Sequence, residues 1–277
     1  MNIIQGDCRE KLKELPDESI DCIVTSPPYW GLRDYGVDNQ LGTEKKLTDY
    51  VNNLADVFDE CKRVLKKTGT AWLNIGDSYA QKDLKAKDLC LIPFRVALEL
   101  QQRGWYVRSD IIWANPNPMP ESVRDRPTKS HEHIFLLSKS KNYYYDIDAI
   151  REPLAQSSIP RLNQDIKNQK GTTRANGGKK TNGNFKAVGN IKKGRNKRDV
   201  WTITTKPYKE AHFATFPKDL IEPCIKAGCP KDGVVLDPFA GSGTVGEVAK
   251  ELQKDFILIE LNPEYIKLIE KRVNKLL

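Results

Sequence analysis

The sequence predicts an α/β fold in which a mostly parallel sheet carries helices on both faces. Short apolar runs typical of buried strands alternate with segments of helical periodicity. Several predicted strands end in Gly, Asp, Ser or Pro, as expected where a sheet edge binds ligands. The chain of 277 residues is long enough for one large domain with an inserted lobe.

The first part of the chain supplies most of the predicted sheet. Its clearest helix is 48–65, because apolar residues recur there at three- and four-residue spacing. Thr48 is the predicted N-cap of this helix, and Gly69 falls just past its end. The predicted strands are 2–5, 21–25, 70–75, 105–113 and 131–138, and the other predicted helices are 8–15 and 89–103.

Regular structure is predicted again towards the C-terminus, after a polar stretch with few large apolar residues. The predicted strands there are 233–236 and 256–260, and the predicted helices are 219–227, 244–252 and one from about 263. We therefore expect residues 1–150 and 201–277 to form two halves of one domain. Residues 151–200 form a basic, polar insertion between them.

The positive charge of the chain is concentrated in this insertion. Residues 161–198 hold twelve Lys or Arg and one acid, a net charge of +11, whereas the whole chain is +8 and the remainder is therefore −3. We interpret the insertion as an element that binds phosphates; the alternative is a solvated, disordered loop. The candidate DNA-binding residues are Lys179, Lys180, Lys192, Lys193, Arg195, Lys197 and Arg198.

The first candidate site is a stiff loop that follows the predicted strand 21–25. From Thr25 to Trp30 it reads Thr-Ser-Pro-Pro-Tyr-Trp. Two consecutive prolines cannot continue a strand, so the loop must leave the sheet in an extended form. It would present a hydroxyl, free proline carbonyls and an aromatic ring, which suit a planar base with an amino group. A proline-rich turn with a core tyrosine is the alternative interpretation.

The second candidate site is a glycine-rich turn after strand 233–236. Gly241, Gly243 and Gly246 fit the spacing G-x-G-x-x-G, which lets the backbone pass close to a ligand at a helix N-terminus. Glu260, at the end of the next strand, suits ribose hydroxyls. A nicotinamide dinucleotide is a rival ligand, but Asp237 at the strand tip would repel its pyrophosphate and better suits an ammonium group.

The two motifs together resemble the S-adenosylmethionine-dependent DNA amino-methyltransferases. Asp-Pro-Phe-Ala-Gly-Ser-Gly-Thr begins at residue 237, and the Pro-Pro-Tyr motif precedes it in the chain. That order resembles the beta class, and the resemblance covers nearly the whole chain outside 151–200. It implies a Rossmann-like methyltransferase sheet, circularly rearranged, with S-adenosyl-L-methionine as cofactor and double-stranded DNA as partner.

The resemblance also assigns residues to roles. It places the catalytic loop at Ser26, Pro27, Pro28 and Tyr29. It places the cofactor at Asp7, His212, Phe213, Thr215, Asp237, Pro238, Phe239, Gly241, Gly243, Thr244 and Glu260. Asp7 would lie on the adenine side, and the segment 212–216 would close over the methionine end. The insertion occupies the place of the target-recognition region.

Ser26 decides the predicted target base. A serine at this position resembles the cytosine-N4 enzymes, whereas aspartate is typical of adenine-N6 enzymes. We therefore predict a site-specific cytosine-N4 DNA methyltransferase of restriction–modification type, with adenine-N6 methylation as the alternative. A cysteine nucleophile for C5 methylation would have to be Cys224 after Pro223, which falls within a predicted helix. A non-catalytic nucleic-acid-binding protein is disfavoured because both motifs are present.

Composition narrows the remaining classes. An apolar run long enough for a membrane span is absent, as is an N-terminal secretory signal, so a cytoplasmic protein is expected. The six cysteines are scattered and are expected to be reduced thiols. No metal is expected, because His131 and His133 lack a third ligand at suitable spacing. A homodimer and a cognate restriction endonuclease are left open as further partners.

Overall fold

The structure is a computed structural model, and it describes residues 2–32, 36, 40–80, 83–154, 156–158, 194–205 and 216–274. It contains two compact units, one of residues 1–146 with 199–277 and one of residues 147–198. Some predicted site residues lie outside the described residues: Lys179, Lys180, Lys192, Lys193, His212, Phe213 and Thr215.

The larger unit is built on one sheet to which both ends of the chain contribute. Eight strands follow the order β1-β8-β7-β2-β3-β5-β4-β6. Every neighbouring pair is parallel except those of β5, which runs antiparallel to β3 and β4. The strands are β1 Asn2–Gln5, β2 Ile20–Thr25, β3 Leu65–Ile75, β4 Tyr106–Ala114, β5 His131–Ser138, β6 Val200–Thr202, β7 Val234–Asp237 and β8 Asp255–Glu260.

Helices form two layers, one on each face of this sheet. The helices are α1 Cys8–Lys11, α2 Leu47–Val64, α3 Ile92–Gln102, α4 Lys218–Gly228, α5 Thr244–Glu251 and α6 Pro263–Asn274. The first three contact one another in sequence, as do the last three. Alternate residues of a strand face opposite layers. On β3, Leu73 joins the core under α2, whereas Trp72 faces Gly228 of α4.

These elements confirm the predicted α/β class and the circularly rearranged order. β7, from the C-terminal part of the chain, lies between β8 and the N-terminal β2, with Ile23 opposite Leu236. The catalytic loop and the glycine turn are therefore attached to adjacent parallel strands. Among the helices that the structure describes, none is long and apolar enough to cross a membrane.

Three predicted details are wrong at the level of single elements. Helix α2 begins at Leu47 rather than Thr48, and the Asp83 carboxylate accepts the hydrogen bond from the Leu47 amide at 2.9 Å, so a distant residue supplies the cap. Gly69 lies inside β3, because that strand begins directly after α2. The short strand β6 was not predicted, since its three residues pair with β4 and carry no periodic pattern of their own.

The ends of the smaller unit are joined to each other. Glu152 and Arg195 form an isolated antiparallel bridge with two backbone hydrogen bonds of 2.9 Å. The Glu152 carboxylate also pairs with the guanidinium groups of Arg195 at 3.0 Å and Arg198 at 3.4 Å. Two of the candidate DNA-binding residues thus neutralise an acid within their own unit.

The close approach of α4 to the sheet gives a testable prediction. A Cβ at Gly228 would lie 2.4 Å from Thr70 Oγ1 and 2.5 Å from the indole nitrogen of Trp72. We expect Gly228→Ala to lower the free energy of unfolding by about 1–3 kcal/mol, because the helix must move away from the sheet. Denaturant unfolding measures this. Lys226→Ala, on the same helix, loses only an exposed ion pair and should change stability by less than about 1 kcal/mol. Equal stability of the two variants would contradict the packing argument.

Candidate active site

The carboxyl ends of the parallel strands surround a cavity of about 450 Å³ in the larger unit. The segments after β1, β2, β7 and β8 contribute to its lining, as does the start of β5, which reaches this edge because it is antiparallel. Open α/β sheets bind ligands in this crevice. The predicted site residues that line the cavity are Asp7, Ser26, Pro27, Pro28, Tyr29, Pro238, Phe239, Gly241, Thr244 and Glu260.

The loop after β2 is fixed in place by hydrogen bonds from α2 and its preceding segment. The Tyr50 hydroxyl donates to the Pro28 carbonyl at 2.9 Å, and the Trp30 indole donates to the Glu44 carbonyl at 2.8 Å. The expectation that the proline carbonyls are free is therefore wrong for Pro28. Trp30 is buried in the core, so it anchors the loop while Ser26 and Tyr29 line the cavity.

Tyr29 is held by a carboxylate that the sequence analysis missed. Its hydroxyl donates to Glu132 Oε2 at 2.6 Å, and Asn74 Nδ2 donates to the same oxygen at 3.1 Å. Burial and the negative charge of Glu132 raise the pKa of Tyr29 well above its ordinary value, so the phenol stays protonated. Gly76 makes room for the ring, since a Cβ there would lie 2.7 Å from Tyr29 Cε2.

The turn after β7 requires glycine at two positions. Gly241 and Gly243 have φ angles of +52° and +80°, which side-chain-bearing residues rarely adopt. The Gly241 amide donates to Glu260 Oε2 at 2.7 Å, and the Asn262 amide donates to Glu260 Oε1 at 2.8 Å. Burial raises the pKa of Glu260. Its carboxylate thus lies in the cavity with both oxygens already oriented by backbone groups.

Thr244 and Asp7 have partners that define their local roles. The Thr244 hydroxyl accepts a hydrogen bond of 3.0 Å from Arg272, which also contacts Ser242 Oγ at 2.9 Å. Asp7 caps α1 through the Arg9 amide at 2.9 Å and forms an ion pair with the Arg9 guanidinium at 2.5 Å. Burial would raise the pKa of Asp7, but the hydrogen bonds from Arg9 outweigh it and the pKa is lowered.

Asp237 is fully buried at the tip of β7, behind the residues that line the cavity. Its Oδ1 accepts hydrogen bonds from the Thr25 hydroxyl at 2.6 Å and from the Phe239 amide at 3.0 Å. Its Oδ2 has no hydrogen-bond partner among the described residues. Burial raises the pKa of this carboxyl from 3.8 to about 7, so it is close to half protonated at neutral pH.

Other predicted residues are not part of this cavity. Cys224 is buried within α4, where its thiol donates to the Leu220 carbonyl, so it lies at no strand tip. His133 contacts Asp110 at 2.9 Å, and no group of three potential metal ligands occurs in the described part of the chain. Thr205 and Phe216, which flank residues 206–215, both line the cavity.

The cavity has the chemistry expected for a nucleoside-containing cofactor. Glu260 and Asp7 offer carboxylate oxygens for hydroxyl or amino groups, and the Phe239 side chain offers an apolar surface. At Gly241 a Cβ would meet nothing nearer than 4.0 Å, so the backbone there is open to a ligand. The residues that line the cavity therefore fit S-adenosyl-L-methionine. The fold and this edge together define a Rossmann-like methyltransferase.

Comparison with known proteins gives the family. A family model described as DNA methylase matches residues 20–271. The chain is 44% identical to the Type II methyltransferase M.Cfr9I of Citrobacter freundii, over 98% of this chain and 87% of that protein. It is 45% identical to M.SmaI of Serratia marcescens, over 98% and 90%. The chain belongs to this family of DNA methyltransferases, which act on amino groups with S-adenosyl-L-methionine as methyl donor.

Solved structures share the fold at lower sequence identity. The PvuII DNA methyltransferase, titled cytosine-N4-specific, superposes with a TM-score of 0.70 at 21% identity and covers 98% of this chain and 85% of its own. A DNA modification methylase of Thermus thermophilus, in complex with S-adenosyl-L-methionine, gives 0.65 at 22% identity, with coverage of 99% and 93%. At these identities the likeness concerns the fold.

Asp237 predicts how stability depends on pH. The folded carboxyl keeps a proton between about pH 4 and 7 that the unfolded chain releases, so the free energy of unfolding should fall as pH rises through this interval. In Asp237→Asn this decrease should be shallower. Denaturant unfolding at several pH values measures it, with exposed Asp49→Asn as the matched control. Identical pH dependence of Asp237→Asn and wild type would refute the assignment.

Proposed function

We propose that this enzyme methylates the exocyclic N4 of cytosine at a specific sequence in double-stranded DNA. The observation that carries the proposal is Ser26, whose hydroxyl lines the cavity on the strand adjacent to the glycine turn. A serine at this position resembles the cytosine-N4 members of the family. The PvuII enzyme, which has the same fold, is titled cytosine-N4-specific.

The proposed chemistry is direct transfer to an amino nitrogen. Such a nitrogen is a poor nucleophile because its lone pair is delocalised into the ring. Hydrogen bonds from the amino group to Ser26 Oγ and the Pro27 carbonyl would localise the lone pair and aim it at the methyl group. S-adenosyl-L-methionine supplies that methyl group as an electrophile when it is bound. The chain needs no covalent nucleophile for this reaction.

The target cytosine must leave the duplex to reach the cavity. Bases that are modified on an edge buried by pairing are flipped out and held by stacking and hydrogen bonds. Tyr29 is the proposed stacking partner, since it lines the cavity and its hydroxyl is anchored at 2.6 Å to Glu132. Anchoring at the hydroxyl restricts rotation of the ring and so prepares one orientation for the incoming base.

The basic insertion is the proposed target-recognition region. Its net charge of +11 over residues 161–198 suits the phosphate backbone, whereas the rest of the chain is net negative. The sequence-specific contacts would come from the same region, because phosphate contacts alone carry no sequence information. The division into residues 1–150, 151–200 and 201–277 is proposed on this functional basis.

The biological setting follows from the same proposal. A restriction endonuclease of matching specificity is the proposed cognate partner, since the relatives are named Type II methyltransferases. We propose a cytoplasmic location, because the substrate is DNA and all six cysteines are free, buried thiols, as in a reducing compartment.

The proposed reaction is tested by identifying the methylated base. Unmodified plasmid DNA is incubated with labelled S-adenosyl-L-methionine, digested to nucleosides and analysed by mass spectrometry. We expect N4-methylcytosine. N6-methyladenine would refute the cytosine assignment while leaving the family chemistry intact, and unlabelled DNA would refute both. Ser26→Ala, which removes the hydroxyl acceptor, should lower kcat by about 10- to 1,000-fold if that contact acts in the transition state.

The role of the insertion is tested by the salt dependence of DNA binding. Lys192→Ala with Lys193→Ala should weaken binding to all sequences and reduce the slope of log K against log[salt] by about 2. The control is Lys226→Ala with Lys231→Ala, because these residues precede β7 and lie at the opposite edge of the sheet from the cavity. Fluorescence anisotropy with labelled duplex measures both. Equal salt slopes for the two double variants would count against phosphate binding by the insertion.

A further inference from the structure

Glu132 is a carboxylate in the active-site cavity that belongs to neither sequence motif. Its Oε2 accepts hydrogen bonds from the Tyr29 hydroxyl at 2.6 Å and from Asn74 Nδ2 at 3.1 Å. Asn74 is buried, and its Nδ2 also lies 3.3 Å from the His133 carbonyl. Two donors from different strands and loops therefore fix this carboxylate at the start of β5.

An acceptor at this position decides the direction of the hydrogen bonds around Tyr29. An ionised carboxylate can only accept, so the single Tyr29 proton points to Glu132. The bond of 2.6 Å is short, as expected for a charged acceptor. The Tyr29 oxygen is also 3.5 Å from Ser26 Oγ, the outer limit for a hydrogen bond. With its proton committed to Glu132, that oxygen can only accept from Ser26.

The position of the Tyr29 hydroxyl is fixed from the other side as well. Gly76 lies against the ring, and any side chain there would come within 2.7 Å of Tyr29 Cε2. Hence the ring cannot turn its hydroxyl away from Glu132 without leaving the space that Gly76 provides. The chain from Ser26 through Tyr29 to Glu132 is therefore a built feature of the site.

We propose that Glu132 is a positioning residue that makes Ser26 a hydrogen-bond acceptor for the target amino group. Because the Ser26 proton is directed at Tyr29, the lone pairs of Ser26 Oγ face the cavity. An amino group can donate to them, whereas a ring carbonyl, which is itself only an acceptor, finds no donor. The chain thus selects an amino-bearing base over a keto-bearing one. This inference rests on the proposed function and names what orients its catalytic loop.

The same chain accounts for the proton that methylation releases. After the nitrogen–carbon bond forms and the sulfur–carbon bond breaks, the amino nitrogen carries one surplus proton. That proton passes to Ser26 Oγ as the Ser26 proton moves to the Tyr29 oxygen and the Tyr29 proton moves to Glu132. One proton leaves the base and one carboxylate gains it, so the charges balance.

The test compares Glu132→Gln, Tyr29→Phe and the double variant. Glutamine matches the shape of glutamate, but its amide can donate as well as accept, so the direction of the chain is lost. Phenylalanine keeps the stacking ring and removes the hydroxyl. We expect each single variant to lower kcat for DNA methylation by about 10- to 100-fold, the worth of one hydrogen bond to a charged group. KM for DNA should change by less than about threefold.

The two changes should not add, because they break one chain. The double variant should therefore be no slower than the more impaired single variant. Asp110→Asn is the matched control, since Asp110 contacts the neighbouring residue His133 and should leave kcat unchanged. Calorimetry with S-adenosyl-L-methionine should give wild-type affinity for every variant, which shows that the cofactor half of the site is intact.

Distinct results would overturn the proposal. A kcat of Glu132→Gln within about twofold of wild type would show that the carboxylate sets no direction, as would losses that multiply in the double variant. Weakened cofactor binding in Glu132→Gln would assign Glu132 a purely structural role. Wild-type enzyme that labels no DNA would refute the proposed function itself, a result distinct from labelled DNA with an unaffected variant.

Discussion

The pairing of β7 with β2 is the constraint on which the site depends. Cys22 and Ile23 lie opposite Val235 and Leu236, so the two strands end at the same edge of the sheet. There the Thr25 hydroxyl donates to the Asp237 carboxylate at 2.6 Å, across 212 residues of sequence. Because the catalytic loop follows Thr25 and the glycine turn follows Asp237, this contact places the amino-group acceptor and the cofactor turn side by side.

This arrangement buries charged and polar groups whose solvation is lost. Asp237 is fully buried, one of its oxygens has no partner among the described residues, and burial raises its pKa to about 7. Tyr29 and Glu260 are also shifted by burial, in each case with hydrogen bonds that fix their geometry. Such groups lower stability and define positions at the same time, as is common at functional sites.

The chain also separates attraction of the substrate from chemistry. The positive charge lies in the insertion, whereas the rest of the chain is net negative and its cavity contains the carboxylates Asp7, Glu132 and Glu260. Placing the basic charge apart from the cavity leaves those acceptors available to amino and hydroxyl groups. Within the insertion, Glu152 pairs with Arg195 and Arg198, so part of that charge is used to join the ends of the unit.

The sequence by itself determined the fold class, the two motifs and the elements that carry them, because periodicity, prolines and glycines act over a few residues. Most predicted strands and helices agree with the structure to within a few residues. The tertiary structure alone decided which groups meet. The antiparallel direction of β5 brings Glu132 to the cavity, and packing of α2 lets Tyr50 occupy the Pro28 carbonyl. These contacts join residues far apart in sequence, and no local pattern encodes their direction or register.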